Sequence, residues 1–223
     1  MKYSCLPLLV LLSSAAGPKP PAVRVTISPL TKAAFEQARR RASTLGKLLL
    51  GEAPIFTVHK QKGRLVIPTE AGSKLFKDKV FPKNEVDDIT YEYLGFFPKH
   101  KVHLIQVAYY ESSEVLLVEK NGNIVRLVSE PLYSPSQQRL LAASRGIVYA
   151  MMPNSLQLVE KVAGRLQIVW EITPKKWEPV DLFWTSDSVA CLKQELVNSA
   201  TEEPYEPARF TYARLLVRPV IQH

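Results

Sequence analysis

Two carboxylates three positions apart, Glu178 and Asp181 in "KKWEPVDLFW", stand among Trp177, Phe183 and Trp184. Flat aromatic rings beside paired acids suit a glycan site, where one carboxyl group protonates the leaving oxygen and the other serves as base or nucleophile. On that reading Glu178 and Asp181 are the acids of a glycan-active hydrolase. Without catalysis, Trp177, Glu178, Asp181 and Trp184 make a ligand-binding loop, since loops often carry function. A third account has Trp177 and Trp184 capping the end of a β core while Pro179 turns the chain, because large aromatics bury so much surface.

Other candidates are weaker in chemistry. His100 and His103 are three apart, a spacing that aligns side chains on a helix but sends them to opposite faces of a strand. Asp87 and Asp88 are adjacent, so they diverge on extended chain and suit a solvated loop. The sequence holds no Cys-x-x-Cys, His-Glu-x-x-His or Asp-x-Asp-x-Asp-Gly spacing, no Gly-x-Ser-x-Gly elbow and no Gly-rich phosphate loop. No metal and no cofactor are expected.

Charge is laid out unevenly. Residues 17–83 carry fourteen Lys and Arg against four acids, whereas residues 84–223 carry fourteen against seventeen. Arg39, Arg40, Arg41, Lys60, Lys62 and Arg64 are therefore candidates for attraction to a polyanion. The competing account is a solvated basic face packed beside an acidic remainder. No dense aromatic-plus-basic motif accompanies these residues, so no specific nucleic-acid motif is read.

The elements that must position these groups are mostly strands. Seventeen prolines against nine glycines, with Val, Leu and Ile in short runs, favour strands between turns. "GPKPPAVRV" reads as an extended entry, and "SPLTKAAFEQARRRASTLGK" as the one helix. Ser28 or Thr31 caps it, Pro29 sits in its first turn and Gly46 stops it. Leu30, Phe35, Ala38, Ala42 and Leu45 form its apolar face. "PIFTVHKQKGRLVIPT" is a hairpin turning at Lys62-Gly63. "SKLFKDKVFPKNEVDD" is open between a strand with a turn and a short helix. From Ile89 onward strand follows strand.

Within that region "LVEKNGNIVRLVSEP" (117–131) returns forty-one positions later as "LVEKVAGRLQIVWEITP" (158–174). Each copy reads as strand, tight turn and strand, with Asn121-Gly122 and Ala163-Gly164 at the turns. "FFPKHKVHLIQVAYY", "YSPSQQRLLAAS" and "WTSDSVACLKQ" extend the unit to three traces. Ser134 and Ser186 are fifty-two apart, so an insertion is assigned to "PKKWEPVD". The cluster Tyr91, Tyr93, Phe96, Phe97, Tyr109 and Tyr110 fits cross-strand packing.

A period near forty with several strands per unit and the aromatic-Ser-Pro turn of "YSPSQQRLLAAS" resembles a blade of WD-type or related bacterial β-propellers. The strand-rich region covers about three units, fewer than propellers typically need. It also lacks a Trp-Asp end and a Gly-His start, so a sandwich of hairpins fits equally. The succession from "YEYLGFFPKHKVHLIQVAYYESSEVLLVEKNG" to "YARLLVRP" is similar to a group of uncharacterised exported bacterial proteins. That resemblance implies export and an antiparallel β fold, and carries over no catalytic residue.

"MKYSCLPLLVLLSSAAG" itself has a basic Lys2, an apolar run from Leu6 to Leu12 and small residues before Gly17, the pattern of a secretory signal over residues 1–16. The run falls short of the roughly 20 residues that span a bilayer, so no transmembrane segment is expected in the mature chain. Cys191 then remains as a buried hydrophobe. The expected organisation is a signal peptide (1–16), a basic helix plus hairpin (17–88) and an antiparallel β-repeat region (89–223). The fold class is mainly β, with repeat-built antiparallel sheets, propeller-like or sandwich, and one N-terminal helix. The expected function is a non-enzymatic binding or scaffold protein of the bacterial periplasm or cell surface, with a cell-envelope glycan or a protein as partner. The alternatives are the glycan-active hydrolase and the polyanion-binding protein.

Overall fold

The computed structural model describes residues 23–42, 58–82, 85–147, 152–198, 201 and 203–220. Alternation of apolar and polar residues in "VRVTI" makes a half-buried strand, β1 (Val23–Leu30). Helix α1 (Lys32–Ala42) follows after a single residue. Thr31 caps it, its Oγ1 accepting the Ala34 N–H at 3.2 Å. Ser28, Pro29 and Leu30, expected in or just before the helix, belong to β1 instead. Pro29 is tolerated because β1 is an edge strand. The helix stop at Gly46 lies outside the described residues.

The strands of the remaining described residues form antiparallel sheets, each built mostly from consecutive strands. The first sheet holds β2 (His59–Gln61), β3 (Arg64–Ile67) and β4 (Lys74–Lys77). A 3-10 turn at Glu85–Asp87 leads to the second, β5 (Thr90–Phe97), β6 (Val102–Ala108), β7 (Ser113–Glu119) and β8 (Ile124–Leu127). The third holds β9 (Leu132–Tyr133), β10 (Arg139–Ser144), β11 (Ser155–Val162) and β12 (Arg165–Ile172). The fourth holds β13 (Trp177–Ser186), β14 (Val189–Asn198) and β16 (Phe210–Pro219), with β15 (Glu203–Pro204) on the end of β14. Its last member is β1, which pairs with β16 from Val23↔Pro219 to Leu30↔Tyr212. The final strand thus returns to the N-terminal strand and not to β5. This ladder crosses the expected division near residue 88.

Consecutive sheets share cores, which explains the near-continuous apolar runs. In β6, Leu104 joins a core with Leu140, Ala142, Val159 and Leu166 of the third sheet, while its neighbour Ile105 joins one with Leu65 and Ile67 of the first. A strand with both faces covered needs apolar residues at successive positions, and β7 supplies "VLLV" for the same reason. Leu141, Leu156 and Leu158 of the third sheet meet Trp184, Leu192, Leu215 and Val217 of the fourth. Each such leucine contributes about 1.5–3 kcal/mol by leaving water.

Helix α1 lies on the fourth sheet. Its Phe35 ring meets Phe183 at 5.1 Å and Tyr212 at 4.9 Å. Ala38 and Ala42 flank Phe35 on the partly buried side, as the apolar periodicity requires.

The two "LVEK" fragments occupy equivalent places, the third strand of the second sheet and the third strand of the third. Their turns differ. Gly122 is left-handed (φ 87°) and Asn121 is not, and the Gly122 N–H donates to Glu119 O at 2.8 Å. That is a type I turn closed by a glycine bulge. Ala163 and Gly164 are both left-handed (φ 47° and 82°), a two-residue type I′ turn between Val162 and Arg165. Lys62 and Gly63 (φ 49° and 70°) turn the same way, so "GRL" at 63–65 and at 164–166 is a further trace of the unit.

Most of the extra length assigned to the insertion "PKKWEPVD" is strand, with Pro174 to Lys176 leading into it. Trp177 to Asp181 lie in β13, with a bulge at Val180. Both β12 and β13 are longer than their counterparts β8 and β9.

Candidate functional site

Glu178 and Asp181 sit on an edge strand and are both engaged within the protein. Glu178 is fully buried, at 0% exposure. Its Oε1 accepts the backbone N–H groups of Gly146 (3.0 Å) and Ile147 (2.6 Å), and its Oε2 accepts Arg145 Nε at 3.0 Å. Arg145 also reaches Glu195, directly opposite Glu178 on β14, through Nη2 at 2.5 Å. One guanidinium therefore bridges two facing carboxylates, and the segment after β10 is clamped onto the edge of the fourth sheet. Gly146 is required there, since a Cβ would lie 1.8 Å from the Met152 carbonyl oxygen.

Asp181 pairs with Arg39 of α1 at 2.8 Å, and the same guanidinium stacks 4.9 Å over the Phe183 ring. A residue put forward for catalysis and one put forward for polyanion contact thus dock the helix on the sheet. Trp184 is buried in the core shared by the third and fourth sheets and donates Nε1–H to Leu132 O at 3.1 Å. Trp177 packs against the same core. The Trp184 ring is closed to a sugar, and Trp177 is partly buried. The gap between these sheets, lined by Val25, Trp170, Trp184 and Leu215 among others, has no space for a water molecule.

Of the remaining basic candidates, Lys60 donates to Tyr91 O at 2.6 Å and pairs with Asp78 at 2.9 Å. Lys62 and Arg64 are exposed at the β2–β3 turn, and Arg40 and Arg41 are exposed in the last turn of α1. They complement the helix dipole at that end.

The two histidines separate as the strand geometry requires. His100, in the β5–β6 turn, packs on Phe97 at 5.1 Å and bonds through Nε2 to Gln137 O of the third sheet at 2.5 Å. His103, on β6, packs at a tilt against Phe96 at 4.9 Å and bonds through Nδ1 to the Tyr93 hydroxyl at 3.1 Å. Among the described residues no three His, Cys, Asp or Glu side chains are grouped as metal ligands. No helix among them is long and apolar enough to cross a membrane. Burial pushes both imidazoles below the ordinary histidine value, against the opposing pull of the Gln137 carbonyl at His100. It pushes the Tyr93 phenol up to about 12 and raises the Cys191 thiol.

The sign of the pH effect follows. The unfolded chain binds the two imidazole protons more readily than the folded one, so their contribution to stability is complete above the unfolded histidine value of about 6.5 and falls as the pH drops toward the lower folded values. Replacing His103 by Phe should flatten that decline in urea titrations between pH 7 and pH 5. An unchanged slope in the variant would refute the assignment.

Neither family models nor curated proteins give any match to this chain.

What the sequence did not reveal is the role of the repeated Glu. Glu119 is buried at 3% exposure and its Oε2 accepts the Leu166 N–H of β12 at 3.0 Å, together with Asn123 Nδ2 at 2.6 Å. Glu160 instead pairs with Arg139 at 2.5 Å, and Arg139 donates to Asp187 O of the fourth sheet at 2.6 Å. The Asp187 carboxylate accepts the Ser136 N–H at 2.7 Å. Although burial works the other way, this hydrogen bond helps hold Asp187 below the usual carboxylate range. In both copies the "LVEK" carboxylate tethers its sheet to the next one, directly in the first and through Arg139 in the second. The signal available was the spacing itself.

Proposed function

We propose that this chain is an exported, non-enzymatic binding or scaffold module of the bacterial cell envelope. In this reading the four sheets of the described residues are blade-like units, with β1 as the strand that completes the last. The observation that carries it is the engagement of Glu178. A carboxylate with no exposure and three internal donors is a clamp, and a hydrolase acid must reach a glycosidic oxygen. Asp181 and the two tryptophans likewise serve docking and core packing. The rigid frame of cross-tethered sheets leaves contact to its turns.

The test uses the chain from Gly17 and the variant Asp181→Asn. Both should co-sediment with purified bacterial cell walls to the same extent, and neither should release reducing ends from them. Release by the parent chain that Asp181→Asn abolishes, with an unchanged melting midpoint, would overturn the reading in favour of the hydrolase. For export, expression from Met1 in a bacterium should yield a periplasmic or extracellular product beginning at Gly17. Retention of residues 1–16 in the cytoplasm would refute it.

A further inference from the structure

The turns that join β5 to β6, β7 to β8 and β11 to β12 all lie at one end of their sheets, and the 69–74 segment between β3 and β4 joins them there. The contacts are direct. The Lys120 N–H donates to Lys101 O at 3.2 Å, and the Glu70 N–H donates to Lys120 O at 2.7 Å. Lys74 Cε lies 3.3 Å from the Cβ position of Gly122. Arg165 adjoins Leu166, whose N–H is held by Glu119. Lys99 and Lys161 both lie near enough to His100 to disfavour its protonation.

Lys74, Lys99, Lys101, Lys120, Lys161 and Arg165 therefore converge from three sheets. Their acidic neighbours are already committed: Glu119 is sealed inside, Glu70 pairs with Lys120 at 2.8 Å and Glu160 pairs with Arg139. Lys99, Lys101, Lys161 and Arg165 are exposed, and among the described residues none has a carboxylate within ion-pair distance. Sheets stacked about 10 Å apart spread such a patch over roughly 20 Å, more than one small anion covers.

We propose that this end of the first three sheets binds an acidic polysaccharide. Ammonium groups dominate the patch, and they act as point charges that suit carboxylate or sulfate at variable spacing. Recognition of single-stranded nucleic acid uses aromatic faces for base stacking, and none of these turns exposes a ring. Tyr110 is exposed, but it follows β6, at the opposite end of that strand. The surface rests on the binding-module reading and gives it a ligand class. It is distinct from Lys62 and Arg64, which lie at the far end of β3 from the 69–74 segment.

The test measures binding of the chain from Gly17 to polygalacturonate across a salt series. Affinity should fall with salt. The variant Lys99→Gln/Lys101→Gln/Lys161→Gln/Arg165→Gln should bind at least ~10-fold more weakly, with the salt slope reduced by about one for each charge removed. Lys62→Gln/Arg64→Gln should bind like the parent. Retained affinity in the fourfold variant, an equal loss in the Lys62/Arg64 control, or no binding at low salt overturns the proposal. Tighter binding of duplex DNA than of polygalacturonate at the same salt transfers the surface to nucleic acid and overturns it too. A chain that co-sediments with cell walls but ignores polygalacturonate refutes this surface alone, and leaves the binding-module reading standing.

Discussion

Replacing Glu178 by Ala should destabilise the protein by about 3–5 kcal/mol, from two backbone donors left without their acceptor and the lost contact to the half-exposed Arg145. The loss has identifiable parts. The N–H groups of Gly146 and Ile147 lose their acceptor inside the protein, each worth about 1–3 kcal/mol when left unmade. Arg145 keeps Glu195 but loses its buried partner. At this chain length 1 kcal/mol moves the midpoint by about 2–4 °C, so a fall of roughly 6–20 °C is expected. Glu178→Gln should fall less, because an amide oxygen still accepts from the two backbone groups. Thermal melts of the pair against the parent decide the matter. A midpoint for Glu178→Ala that equals the parent's would show that the clamp contributes nothing and would reopen Glu178 to a chemical role.

The strands from Ile89 onward were legible because period-2 patterns and turn residues are local signals. The place of "LVEK" was legible because a duplicated fragment has duplicated surroundings. Glu178 looked chemical because its neighbours in sequence are aromatic, but its partners in space, Arg145 to Ile147, come from more than thirty positions upstream. Nothing in "KKWEPVD" encodes them.

The basic end of the sheets was hidden for the same reason. Summed over residues 84–223 the charge is slightly negative, yet the turns gather Lys99, Lys101, Lys120, Lys161 and Arg165 into one neighbourhood. Antiparallel pairing sends alternate turns to opposite ends, so charge must be counted by turn and not by block. The run Arg39-Arg40-Arg41, prominent in sequence, lies on a helix whose first arginine is spent on Asp181.

Removing residues 1–30, and with them β1, should leave a chain that aggregates or pairs through its exposed edge. The alternation in "VRVTI" was visible, but its partner β16 lies nearly the whole chain away, so the sequence offered no register. Val23, Val25 and Ile27 pack against the core shared by the third and fourth sheets, and their loss opens it. Burying such side chains fully contributes about 1.5–3 kcal/mol each, and these are partly buried, so a few kcal/mol disappear before any hydrogen bond is counted. The larger effect is topological. β16 is ten residues long and would present an unpaired ladder with Ala213, Leu215 and Val217 on its core-facing side, a template for a second chain. Adding the peptide of residues 21–30 in trans should restore the monomer by strand addition, with light scattering falling as peptide is titrated. A truncated chain that remains monomeric, melts with the full-length protein and ignores the peptide would mean that β1 decorates the sheet and does not complete it.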